Sequence, residues 1–179
     1  MKRILILLTI VFTSPFYSQE FNGDFSQEKE VTSVVVNHTM LELLTNFEFL
    51  DDEGDSEDFS KFVSSVNYIK FYSTANSTSS KTILDRVDSY VNSKSTLVEL
   101  MKMKEDGAKI NFYVEEGEQE GYLNEILMLV DGGVSDLSEF DLDVKTLVVL
   151  IEGKNVDTKF LGKLFNVLDM PGESFINKI

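Results

Sequence analysis

The chain reads as a single α+β domain, a mainly antiparallel sheet with helices packed on one face, in the order β-α-β-α-β-β-β-β-α. Three observations predict it. Short β-branched or alternating runs are separated by turn residues. Between several of them, apolar residues recur at three- and four-residue spacing, as on a core-facing helix. The 179 residues carry no Pro/Gly/Ser-rich linker and no long-period repeat, so one core is expected rather than two.

Residues 1–18 read as an export signal. Lys2 and Arg3 precede a short apolar run that ends at Thr13-Ser14-Pro15, ahead of Ser18-Gln19-Glu20. The run is about half of the ~20 residues that a membrane-spanning helix needs, so cleavage is expected and a permanent anchor is not. Residues 19–30, polar apart from Phe21 and Phe25, read as a loosely held arm. The domain proper is expected over residues 31–170, with a tail at 171–179.

Residues 31–36 are dense in valine and predict the first strand. Met40, Leu41, Leu43, Leu44 and Phe47 then take helical spacing, with Asn37 or Thr39 as the cap. Asp51-Asp52-Glu53-Gly54-Asp55-Ser56-Glu57-Asp58 is too charged to bury and predicts a solvated loop or the negative start of a further helical turn. Phe59, Phe62 and Val63 return to helical spacing. Residues 66–72 alternate as a second strand, with Val66 and Tyr68 on one side and Ile69 and Phe71 on the other.

Asn76-Ser77-Thr78-Ser79-Ser80 opens a helix whose stripe is Ile83, Leu84, Val87 and Val91. Residues 97–104 and 109–115 flank Asp106-Gly107, a strong hairpin signal because glycine accepts the positive φ of a tight turn. Residues 116–121 form an acidic turn, and residues 123–130 another strand closed by Asp131-Gly132-Gly133. Residues 135–143 are an acidic loop. Leu147-Val148-Val149-Leu150-Ile151 is apolar without a break and predicts a strand covered on both faces. Asp157 caps a last helix bearing Phe160, Leu161, Leu164, Phe165 and Leu168, ended by Pro171-Gly172.

Acidic residues number 31 against 16 basic ones, for a net charge of −15, which sets the chain's field against phosphate backbones and anionic lipid. Nucleic acid is therefore not an expected partner. The absence of cysteine excludes disulfides, thiolate metal sites and a cysteine nucleophile. His38, the single histidine, lacks the companions that a His-based metal site or catalytic triad requires, and reads as structural.

The acidic loop at 51–58 invites a calcium reading, but Ser56 stands where the EF-hand needs glycine and Phe62 where it needs glutamate. Carboxylate pairs for hydrolysis can be drawn among Glu115, Glu116, Glu118, Glu120, Glu125 and Asp131. They work only when held about 5–10 Å apart across a cleft. Gly121 and Gly132-Gly133 lie outside any phosphate-binding context and read as turns. Phe47, Phe49, Phe59, Phe62 and Phe71 read as core. Asn37 and Asn76 head Asn-x-Thr sequons whose use depends on the host. No catalytic, cofactor-binding or metal-binding residue is assigned.

The segments Val34-Val35-Val36 running into Met40-Leu41, the stretch 66–71, Leu97-Val98-Glu99-Leu100-Met101 with its Asp106-Gly107 turn, Asn124-Glu125-Ile126-Leu127-Met128-Leu129-Val130, and the stretch 148–153 resemble the domain of unknown function 4252 family of exported Bacteroidota proteins. The resemblance spans roughly residues 20–165. It implies export and a compact α/β domain, with no activity or site residue to carry over. Many members of that family resemble lipoproteins, from which a chain without cysteine departs. The expectation is a periplasmic or extracellular, non-enzymatic interaction module of the cell envelope, its partner an unknown envelope protein or ligand. A small-ligand or divalent-cation binder is the alternative, and a carboxylate-based hydrolase the third.

Overall fold

The computed structural model describes residues 21, 25, 27–46, 56–105, 107–132 and 144–161. In chain order the elements are β1 (Thr32–Asn37), α1 (His38–Asn46), α2 (Ser56–Ser65), β2 (Val66–Thr74), α3 (Ser77–Ser93), β3 (Val98–Glu105), β4 (Ala108–Glu116), β5 (Tyr122–Asp131) and β6 (Thr146–Asp157), followed by a 3-10 turn at Thr158–Phe160. The six strands form one sheet in the order β1-β2-β6-β5-β4-β3, antiparallel at every step. The α+β class and the run of strands therefore agree with the sequence reading.

The order has a physical logic. Residues 147–151 of β6 are all buried, which only a strand with neighbours on both sides and layers on both faces satisfies. The last strand accordingly inserts between β2 and β5. Its alternation sorts the core into two layers. Leu147, Val149 and Ile151 face one, with Phe59, Phe62 and Val63 of α2, Leu41 of α1 and Phe112 of β4. Val148 and Leu150 face the other, with Ile83, Val87 and Tyr90 of α3.

That second layer corrects two expectations. Helices lie on both faces of the sheet, α1 and α2 on one and α3 on the other, because an uninterrupted apolar β6 leaves no face to solvent. Phe21 and Phe25 are buried at 2% and 0% exposure rather than held on a loose arm. The Phe21 ring meets Tyr90 edge-on at 4.9 Å, Phe25 meets Tyr72 likewise at 4.9 Å, and the Arg86 guanidinium lies 5.0 Å over Phe25. Glu28 ion-pairs with Arg86 at 2.5 Å, so the segment is also pinned by charge.

The side assigned to Val66 is also corrected. It shares the first layer with Ile69 and Phe71. A register shift between Val66 and Tyr68 inserts an extra residue against β6, and one extra residue reverses which face the strand presents.

Local signals act as read elsewhere. Asn37 Oδ1 accepts from Met40 N at the start of α1, and Asn76 Oδ1 accepts from Thr78 N and Ser79 N at the start of α3. Both sequon asparagines thus serve as helix caps. Glu105 pairs with Ala108 across the β3–β4 hairpin, where Gly107 takes φ +92°. Asp157 caps the 3-10 turn by accepting from Lys159 N.

Residues 56–58 open α2, the helical alternative for that acidic stretch. Residues 1–18, 51–55, 135–143 and 171–179, along with Phe47, Phe49, Gly133, Leu164, Phe165 and Leu168, lie outside the described residues.

Candidate functional site

Two features stand out from the packed layers: a polar constellation under the end of α3, and the outer edge at β1 and α1.

The constellation follows from register. Glu125 of β5 is opposite Glu115 of β4 on one side and Glu152 of β6 on the other, so neighbouring strands line up three carboxylates. Tyr90, in the last turn of α3 along the stripe begun by Ile83 and Val87, and Lys94, the residue that caps the helix C-terminus, descend on them. Lys94 Nζ lies 2.5 Å from Glu125 and 2.6 Å from Glu115, and Tyr90 Oη donates 2.8 Å from both oxygens of Glu125. Tyr68 of β2 donates to Glu152.

Glu125 is 1% exposed. Burial pushes its carboxyl above the ordinary range, against the pull of Lys94 and Tyr90, and neighbouring Glu152 adds to the rise. Burial opposes the charge of Lys94 too, but its hydrogen bonds to Glu115 and Glu125 outweigh that and leave the ammonium harder to deprotonate than usual. The Tyr90 hydroxyl is pushed far up by burial and by Glu125, and stays a donor.

A carboxyl raised on folding stabilises the fold fully below its unfolded value, and that contribution is lost as pH rises through the folded value. Glu125 therefore contributes a loss of stability on going upward from about pH 4.3. The raised Lys94 contributes below the ordinary lysine range and is lost only in strong alkali. Glu125→Gln is expected to remove that fall of the melting temperature as pH rises above about 4.3. An unchanged slope in the variant would remove Glu125 as its source.

Of the acids singled out in the sequence, the structure brings together Glu115 and Glu125 and disperses the rest. Glu116 and Glu120 are exposed, Glu118 pairs with Lys154 at 3.6 Å, and Asp131 with Lys109 at 3.6 Å. Sequence reasoning missed Glu152, Tyr90 and Lys94. The signal was available for Tyr90, which continues the buried stripe of a helix, whereas Lys94 stands just past the end of that helix. Glu115 and Glu125 converge as a hydrolytic pair must, but they share one ammonium, and at 1% exposure Glu125 offers no surface to a substrate.

His38 joins two elements of the fold. Its Nδ1 donates to Val66 O at 3.1 Å, tying the start of α1 to β2, while Nε2 lies 3.3 Å from Glu42. Among the described residues no group of three or more His, Cys, Asp or Glu stands ready to hold a metal ion. An open depression of about 260 Å³ lies beside Lys61, Tyr122, Asn155 and Lys159. Two of its polar side chains are engaged within the chain: Lys159 with Asp157 at 3.2 Å, and Asn155, whose side-chain carbonyl accepts from Glu118 N.

The second feature is the edge. Val34 and Val35 of β1 are 47% and 56% exposed, and Met40 and Leu43 of α1 each 50%. Among the described residues β1 pairs only with β2, so its other side carries backbone groups with no described strand beside them. The opposite edge, β3, exposes Val98 and Leu100 but intersperses Glu99, Lys102 and Lys104 and is bulged between Glu99 and Met101.

Fold and features together define a one-sheet α+β module with its polar groups tied inward and an apolar strand on its rim. The chain belongs to the family described as domain of unknown function (DUF4252), whose model matches residues 24–164. The comparisons with curated proteins and with solved structures returned no match. No helix among the described residues is long and apolar enough to cross a membrane.

Proposed function

We propose that the chain is an exported, non-enzymatic interaction module of the cell envelope that docks a protein partner along the outer side of β1 and onto α1. The observation that carries this reading is exposed apolar surface at one rim of the sheet, Val34 and Val35 on a strand that bears no charge and Met40 and Leu43 on the helix that follows it, each about half exposed. Such an edge is a template for strand addition, in which main-chain hydrogen bonds supply affinity and the flanking side chains supply selectivity. Export rests on the leader at residues 1–18, with its basic start and short apolar run. The acidic surface suits a protein that has no business with anionic lipid or nucleic acid.

Affinity capture from envelope extract, using residues 19–179 with calcium present and then chelated, tests it. A stoichiometric protein partner retained by the wild type and lost by Val35→Glu is expected in both conditions. Capture unaffected by Val35→Glu, or no partner in either condition, would count against this surface and turn the search to small ligands and envelope polymers.

A further inference from the structure

The hollow of about 260 Å³ beside Lys61 and Lys159 is walled by α2, β5, the end of β6 and the 3-10 turn that follows it. An irregular stretch of β6 shapes it. Gly153, Lys154 and Asn155 stand against Asn124 alone of β5, between the pairs Leu123–Val156 and Glu125–Glu152. Bulges of this kind re-aim side chains and gather beside functional sites. Asn155 takes φ +54°, a left-handed conformation that asparagine accepts more readily than most residues.

Two asparagines fasten the bulge to the turn between β4 and β5. Asn155 N donates to Asn124 Oδ1 at 3.1 Å, Asn124 Nδ2 donates to Glu116 O at 3.1 Å, and Asn155 Oδ1 accepts from Glu118 N at 2.8 Å. Gly117 admits that side-chain carbonyl, since a Cβ on it would lie 2.7 Å from the oxygen. With Oδ1 engaged, the orientation of the amide is set, and Nδ2 is a fixed donor that meets no partner among the described residues. The Tyr122 hydroxyl meets none there either, and its residue is pinned to the same turn through Gly117 N and Gln119 O. Acceptors line the hollow as well. Ser65 Oγ donates to Phe62 O at 2.6 Å and keeps its lone pairs, and the Asp157 carboxylate has lone pairs beyond those that Lys159 engages. Phe62 and Phe160, with ring centroids 5.6 Å apart, supply apolar surface.

These groups select a ligand by exclusion. A cation would meet Lys61 and Lys159, and an anion would meet Asp157 within the field of a chain carrying −15. An apolar molecule would cover Nδ2 and the phenol without pairing them. A hydroxyl both donates and accepts, so several on one small ring match a wall of mixed donors and acceptors, while the ring's C–H groups suit the phenyl surface. We infer that the hollow binds a neutral sugar ring, free or at the end of a glycan. The inference uses no residue of β1 or α1 and stands whether or not they dock a partner.

Titration of isotope-labelled residues 19–179, which include every described residue, with glucose, galactose, mannose and N-acetylglucosamine, followed by NMR, tests it. At least one of these sugars is expected to shift the Tyr122 backbone and Asn155 side-chain amide signals saturably, with a Kd of about 1 mM. Tyr122→Phe, which keeps the ring, should raise that Kd about fivefold. Asn155→Asp, which keeps an acceptor for Glu118 N and loses the donor, should raise it about tenfold. The methyl glycoside of the bound sugar separates the sources: equal binding marks the end of a glycan, and loss of binding a free sugar. No saturable shift from any of the sugars at about 50 mM, binding indifferent to both variants, or glucosamine or glucuronate bound more tightly than glucose would overturn the inference.

Discussion

Gly153→Ala is expected to destabilise the fold by about 3 kcal/mol or more, at the upper end of what overpacking costs. Gly153 sits in β6 opposite Val66, where α2 ends and β2 begins. A Cβ there would lie 2.2 Å from Ser65 O and 2.6 Å from Val156 Cγ2. The first neighbour is backbone, fixed between a helix and a bulged strand, so it cannot swing aside as a side chain would. Either β6 must leave β2 or α2 must rise off the layer that Phe59, Phe62 and Val63 fill. Urea unfolding should show a lower midpoint with unchanged slope, and melting should fall by roughly 6–12 °C. A loss under about 1 kcal/mol would mean that the junction yields easily and that the close approach is not a constraint.

Lys94→Met is expected to cost about 3 kcal/mol at neutral pH. Its ammonium is shared by Glu115 and Glu125, and removing it leaves a fully buried carboxylate facing two others, with the Tyr90 hydroxyl still donating to Glu125. The penalty falls on Glu125, so it should respond to protonation. With its cation gone, the folded value of Glu125 rises further, and the stability it leaves is present at low pH and lost as pH climbs through that value. The deficit should therefore be small near pH 4 and large near pH 8. Lys94→Met combined with Glu125→Gln should recover much of the loss, a coupling that a double-mutant cycle reads directly. Additive losses, or a deficit independent of pH, would show that the cost of losing Lys94 lies in packing.

The fold was largely legible because its strongest determinants are local. The unbroken apolar run at 147–151 identified the central strand, Asp106-Gly107 the hairpin, and Asn76 and Asp157 their caps. Where the reading went astray, the cause was non-local. Phe21 and Phe25 have no periodic neighbours, and their burial exists only because α3 and β6 make a second layer for them to close. Val66 was placed on the wrong face because a bulge leaves no mark in an alternating pattern. Gly153 stood in a segment that resembles the family, but the close approach that requires it comes from α2, far back in the chain.

The polar constellation was legible only in part for the same reason. Glu125 between Asn124 and Ile126 looks like any strand acid facing water. Its burial follows from strand order, which sets β4 and β6 beside it and α3 above. The β1 edge was hidden likewise: a valine-rich run reads as a core strand until the sheet shows that, among the described residues, no second strand pairs with it.

Amide hydrogen exchange across residues 32–37, with and without the captured envelope partner, tests the role of this edge most directly. The outward-facing amides of β1 are expected to exchange rapidly in the protein alone and to slow about tenfold or more with the partner bound, while those of β3 stay unchanged. Outward β1 amides already protected in the protein alone, or protection gained at β3 instead, would contradict it.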